Sequence, residues 1–114
     1  MTLSPLIFLA ITAPEWPARK FDLTVYSKRL FQGRPTFTGE RYDHAKLSAA
    51  SRDHPMGSVL RITFKGRTLD LRVNDKINPR YKGRRIDLSG AAWTRLSKGA
   101  DPGVLRGATV QRIK

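Results

Sequence analysis

Ser58-Val59-Leu60-Arg61-Ile62-Thr63-Phe64, then Lys65-Gly66-Arg67, then Thr68-Leu69-Asp70-Leu71-Arg72-Val73-Asn74 is the stretch on which the fold turns. Its first segment is rich in β-branched and aromatic residues. Its last alternates, with Leu69, Leu71 and Val73 on one face and Asp70 and Arg72 on the other, as a half-buried strand requires. The short middle segment with its glycine has the length of a hairpin connection.

Working outward, Phe21-Asp22-Leu23-Thr24-Val25-Tyr26 alternates in the same way and reads as another strand. Phe31 to Glu40 is a loop rich in Gly, Pro and Thr, and Lys46 to Ala50 is a short apolar strand or turn. Asp75 to Arg85 is a polar loop containing proline. Gly90 to Leu96 is a short helix, with Ser89 at its N-cap and Gly99 as its stop. Val104 to Ile113 reads as a closing strand broken at Gly107. Short strands with little helix point to a small, mainly β, barrel-like domain.

A chain of 114 residues fits one domain. With 22 Lys+Arg against 9 Asp+Glu, the net charge of +13 draws the protein to polyanions: nucleic acid, anionic lipid, teichoic acid or peptidoglycan carboxylates. The chain has no cysteine, which excludes disulfides, thiolate zinc sites and Cys nucleophiles together. Two histidines, His44 and His54, are too few for a His-rich metal site, and no metal or cofactor is expected. No RNP, helix-turn-helix or zinc-finger pattern supports nucleic-acid binding.

Residues 1–20 are assigned to an N-terminal arm that adds no barrel strand, and residues 21–114 to the barrel. The run Leu6-Ile7-Phe8-Leu9-Ala10-Ile11 is too short to span a bilayer, and no Lys or Arg precedes it. It reads as a retained segment docking on a protein partner through residues 3–12, with a degenerate export signal as the alternative.

Four further segments carry a resemblance. Gly39-Glu40-Arg41-Tyr42-Asp43 is similar to a GERFD element, and Leu71-Arg72-Val73-Asn74-Asp75 to VRVND. Lys46-Leu47-Ser48-Ala49-Ala50 followed by Pro55-Met56-Gly57-Ser58 is similar to ALTAAH…LPFGT, and Lys82-Gly83-Arg84-Arg85-Ile86-Asp87-Leu88-Ser89 to KGRIIDLS. In this order and spacing, from about Phe21 to Ile113, the chain resembles the RlpA-like (rare lipoprotein A) family. The resemblance implies a small six-stranded double-psi β-barrel with one or two short helices, related to expansins and barwin-like proteins. It implies lytic transglycosylation of peptidoglycan, which cuts the glycan strand without water and leaves a 1,6-anhydro sugar.

The same resemblance implies Asp75 as the acid–base residue and Glu40 as a second acidic site residue. A carboxyl in a partly apolar groove can be kept protonated by desolvation and donate to a glycosidic oxygen. Both carboxylates are expected in one groove, within about 12 Å, somewhat wider than the paired carboxylates of inverting glycosidases. Ser51, Arg34, Arg41, Tyr42 and Arg84 are the candidate substrate-binding residues, with Arg85 as a further carboxylate contact. Guanidinium groups suit lactyl and peptide carboxylates. Tyr42, Tyr81 and Trp93 are candidates for stacking on sugars, although Trp93 on a short helix reads better as core. Asp43 reads as a turn residue and Asp87 as a carboxylate near the helix start.

Two positions depart from the family pattern. Ser51 stands where the family has His, and a Ser51→His change is expected to be tolerated, with His54 a possible stand-in. The loop after Asp75 is one residue longer than the family's NDRGP turn. These departures motivate the alternatives of a non-catalytic wall-binding module or a component of a wall-penetrating assembly such as a phage tail. The expected location is the cell envelope, periplasm or exterior, with a virion as the alternative.

Overall fold

The computed structural model describes residues 16–98 and 103–114. Six strands, β1 (Arg19–Val25), β2 (Ser48–Ala50), β3 (Val59–Phe64), β4 (Arg67–Asp75), β5 (Arg85–Leu88) and β6 (Leu105–Arg112), close into a barrel. Around it they run β1-β5-β2-β4-β3-β6. Two pairings are parallel, β1 with β5 and β2 with β4, and the other four are antiparallel. Two helices, α1 (Lys28–Phe31) and α2 (Gly90–Ser97), and a 3-10 turn at Pro79–Tyr81 complete the described elements. No helix among the described residues is long and apolar enough to cross a membrane.

The β3–β4 hairpin follows the sequence pattern closely. Phe64 pairs with Arg67, so the turn is the two residues Lys65 and Gly66, both at positive φ (48° and 80°). That is the geometry of a type I′ turn, and it requires a residue such as glycine at the second position. Arg67 therefore belongs to the returning strand rather than to the loop. Leu60, Ile62, Leu71 and Val73 from this hairpin meet Leu23, Ile86, Leu88 and Val110 in the barrel interior, all at 1% exposure or less. Each fully buried aliphatic side chain stabilises the fold by about 1.5–3 kcal/mol before ordering costs. Trp93 and Leu96 of α2 close this core, as expected for Trp93.

Four expectations change. β1 begins at Arg19, inside the segment assigned to the arm, because Arg19 and Lys20 pair with Val110 and Thr109 of β6. Trp16 precedes it with its carbonyl accepting from Gln111 Nε2 at 2.9 Å, and the Arg112 guanidinium lies 4.2 Å from its ring centroid. Residues 3–12 and the Leu6–Ile11 run lie outside the described residues. Arg85 to Leu88, divided in the sequence between a loop and a helix approach, is strand β5. It is only four residues long and bears two charges, too little for alternation to stand out. β6 runs on through Gly107, but the ladder is irregular there: Phe21 pairs with Ala108 and Leu23 with Leu105, so β6 carries one extra residue beside Gly107, which sits at φ 71°. Helix α2 stops at Lys98, which adopts the left-handed conformation expected of Gly99, a residue outside the described set.

Candidate functional site

Strand β4 ends at Asp75, where the barrel wall gives way to loops. Its half-buried carboxylate gathers three donors. Oδ1 accepts from the backbone N–H groups of Phe37 and Lys76, both at 2.9 Å, and Oδ2 accepts from the Tyr26 hydroxyl at 2.7 Å. Asp75 is therefore held in one orientation by a strand end, a loop and a side chain from the end of β1. The setting is donor-rich, not the apolar pocket expected.

Tyr26 was not anticipated as a site residue, since its sequence position marks only the end of a strand. It is 8% exposed and belongs to a small second core with Tyr42, Ala50 and Ile77. Its ring stacks on Tyr42, centroids 4.3 Å apart. Burial, reinforced by the bond to Asp75, raises the Tyr26 phenol far above its ordinary range, so it stays a neutral donor. The longer loop after Asp75 also has a structural role. Ile77 is buried, and its carbonyl accepts from Arg52 Nε at 2.6 Å.

Tyr42 is 2% exposed and cannot stack on a sugar; that expectation is corrected by its packing against Tyr26. Its hydroxyl accepts from the Gly90 N–H at 3.3 Å and shares a hydrogen bond with His44 Nδ1 at 2.8 Å. Burial pushes the Tyr42 phenol up to about 12. The His44 ring fills the space beside Gly90, where any Cβ would overlap the imidazole. Burial and the nearby Lys28 lower the His44 pKa.

Glu40 takes a different position. It is exposed, paired with Arg72 on the outer face of β4, and accepts from Thr38 Oγ1 at 3.2 Å. It lines a small depression with Arg41, Asp43, Lys46, Arg72 and Asn74, which Asp75 does not line. One loop connects the two carboxylates. Phe37 N–H reaches Asp75, Thr38 N–H reaches the Asn74 carbonyl, and Thr36 N–H reaches the Glu40 carbonyl.

Ser51 is 1% exposed, so its hydroxyl is a structural group and not a free substrate contact. It accepts from the Asp53 N–H at 3.1 Å and shares a hydrogen bond with His54 Nδ1 at 2.8 Å. Its backbone N–H donates to the Asp75 carbonyl at 3.0 Å. His54 thus comes next to the position where the sequence pattern led to a histidine being sought. Burial, with Arg112 and Arg19 adding to it, lowers the His54 pKa although Asp53 opposes this.

The arginines scatter. Arg41 is exposed and donates to the Gly33 carbonyl at 2.8 Å, and Arg34 is exposed. Arg84 and Arg85 line a separate depression with Tyr81, Asp22 and Arg106. There the Arg85 guanidinium stacks 3.8 Å from the Tyr81 ring centroid. Asp43 caps its own turn, its carboxylate accepting from the Ala45 N–H at 3.0 Å. Asp87 sits within β5 and accepts from the Thr24 hydroxyl; Ser89, not Asp87, caps α2.

The closed barrel has counterparts among known proteins. The model of the family described as lytic transglycolase matches residues 23–108. The chain belongs to the lytic transglycolase family of RlpA-like double-psi β-barrels. Over 64 residues the chain is 45% identical to the probable endolytic peptidoglycan transglycosylase RlpA of Nostoc sp., an alignment covering 54% of this chain and 17% of that protein. To the endolytic peptidoglycan transglycosylase RlpA of Pseudomonas aeruginosa it is 41% identical over 68 residues, 58% of this chain and 20% of that one. The chain spans about a fifth of the length of these relatives. Among solved structures, the Streptomyces papain inhibitor superposes with a TM-score of 0.67 at 22% identity, over 90% of this chain and 99% of that one. A mutant expansin of Clavibacter michiganensis in complex with cellohexaose gives 0.59 at 18%, over 86% and 51%. These two show the shared barrel. Within the lytic transglycolase family, then, this member has Ser51 buried beside His54 and Asp75 bonded to Tyr26.

Proposed function

We propose that this barrel cleaves the glycan strands of peptidoglycan as a lytic transglycosylase, with Asp75 as its acid–base residue. The observation that carries the reading is the seating of Asp75 at the end of β4. Two backbone donors fill Oδ1, leaving Oδ2, oriented by Tyr26, as the oxygen with a lone pair open to a substrate proton. A rigidly held carboxyl is what proton transfer at a fixed glycosidic oxygen needs.

In the step, protonated Asp75 gives its proton to the glycosidic oxygen as the bond from that oxygen to the anomeric carbon breaks. The 6-hydroxyl oxygen of the same muramyl sugar bonds to that carbon, and its proton passes to the Asp75 carboxylate. The products are a free 4-hydroxyl and a 1,6-anhydro end, with no water consumed and Asp75 returned to its starting state. Glu40, paired with Arg72, contributes to the rim that receives the strand rather than to the proton transfer. The place of action is the cell envelope.

The test is muropeptide analysis after incubating the purified protein with wall sacculi. Anhydro-sugar ends support the reading. Reducing ends would mean hydrolysis, and pelleting without release would mean a binding module; either outcome overturns it.

A further inference from the structure

Phe37 is 60% exposed, more than any other large hydrophobic residue among those described. The loop holding it is not loose. Thr36 N–H bonds the Glu40 carbonyl at 2.7 Å, Gly39 N–H the Thr36 carbonyl at 2.9 Å, and Phe37 N–H the Asp75 carboxylate. An aromatic ring is thus kept in solvent on a fixed mount, with its backbone bonded to the candidate acid. On the other side of Asp75, Lys76 places its ammonium 3.9 Å from the Phe37 ring centroid. That ammonium has no carboxylate partner among the described residues.

Phe37 and Lys76 are two walls of a depression of about 380 Å³ that Ser51, His54, Pro55 and Met56 continue. This is near the small end of ligand clefts, roughly 300 Å³ upward. The one carboxylate among its lining residues, Asp53, is already occupied: both its oxygens accept from the Gly83 N–H, at 2.8 and 3.0 Å. Two cations, Arg52 and Lys76, against the single Asp53 carboxylate leave the depression with a formal net charge of +1, beside an apolar surface of Phe37, Pro55 and Met56.

We propose that this depression is a subsite for a sugar bearing a carboxylate. Phe37 stacks on the apolar face of the ring, and Lys76 leaves the phenyl face to pair with the carboxylate. An uncharged glucan would satisfy Phe37 alone, whereas a muramyl-type residue with its lactyl or peptide carboxylate satisfies both groups. The proposal rests on the peptidoglycan reading above and names Phe37 and Lys76 as the residues that recognise a carboxylate-bearing sugar of the strand.

The experiment uses the full chain carrying Asp75→Asn, which preserves side-chain shape and prevents cleavage. Its retention is measured on native sacculi, on sacculi whose carboxylates have been amidated, and on chitin. Phe37→Ala should weaken retention on native sacculi by roughly three- to tenfold, and Phe37→Trp should restore it. Lys76→Gln should weaken retention by roughly two- to fivefold on native sacculi and leave amidated sacculi unchanged, with Lys76→Arg restoring it. Thermal unfolding of each variant verifies the fold. If Phe37→Ala and Lys76→Gln bind native sacculi as their parent does, the subsite is wrong and the peptidoglycan reading stands. The same holds if Lys76→Gln weakens native and amidated sacculi equally. If the Asp75→Asn parent does not bind native sacculi and the unsubstituted chain does not fragment them, both readings fall.

Discussion

Asp75 and Glu40 belong to one loop system yet live in different physical settings. Asp75 is half-buried, with three donors fixed by a strand, a loop and a buried tyrosine. Glu40 is exposed and ion-paired with Arg72, whose side chain is about half exposed as well. Exposed pairs of this kind contribute little, in the range of 0–1 kcal/mol. The contrast separates a corner built to hold one carboxyl in place from a rim whose carboxylate faces solvent. Two acidic residues that look equivalent in a sequence thereby receive unequal tasks.

The largest expected effect comes from removing the acid. Asp75→Asn should reduce release of wall fragments by about 10²- to 10⁴-fold, measured by turbidity and muropeptide yield, with the thermal midpoint little changed. An unaltered rate would transfer the acid role to another residue and erase the contrast. Tyr26→Phe comes next. As Asp75 gives up its proton, the Tyr26 bond becomes one to an ionised group, worth about 1.5–3 kcal/mol, so without it kcat should fall roughly ten- to a hundredfold while KM changes little. Equal losses in Asp75→Asn and Glu40→Gln would equally collapse the distinction.

Ser51→His sharpens the comparison through stability. The sequence pattern suggests tolerance, but Ser51 is buried and already bonded to His54 and Asp53. Overpacking there should cost about 1–3 kcal/mol, read as a lowered midpoint in thermal melts. A smaller effect concerns pH. The His54 pKa lies below its ordinary 6.5 in the folded state, chiefly through burial. The unfolded chain therefore binds the extra proton first, and stability present above pH 6.5 is lost as pH falls below it. His54→Gln should reduce that acid limb in denaturant titrations from pH 7.5 to 5, leaving the part due to His44, whose pKa is lowered too. The smallest effect is expected for Glu40→Gln, less than about fivefold in fragment release.

Much of the barrel was legible because its long strands alternate. Leu69, Leu71 and Val73 announce β4, and Lys65-Gly66 announces its turn. Strand β5 was not placed from the sequence, since Arg85-Ile86-Asp87-Leu88 is too short to show a period. At the site, Asp75 was placed correctly at a strand end. Tyr26, His44 and Gly90 were not found, because their importance lies in contacts across the fold. Tyr26 meets an aspartate 49 positions away, and Gly90 meets a tyrosine 48 positions away. No local pattern encodes such meetings. Tyr42 failed as a sugar contact for the same reason: an aromatic beside a polar motif looks alike whether it faces solvent or packs on Tyr26.

The closure of the barrel also sets a clock on its formation. The β3–β4 hairpin joins neighbours and can form within about 1–10 μs. The seam between β1 and β6 joins residues such as Lys20 and Thr109, 89 positions apart. Nearly the whole chain must be ordered or looped out before that seam gains anything, so the entropy of closure is met before its contacts return it. Barrels dominated by such distant pairings fold in milliseconds to seconds. The Asp75 corner inherits this delay, since Tyr26 reaches the carboxylate only once β1 has docked. Any activity regained on refolding should therefore follow the slow sealing of the barrel, well after the hairpin that ends in Asp75 has formed.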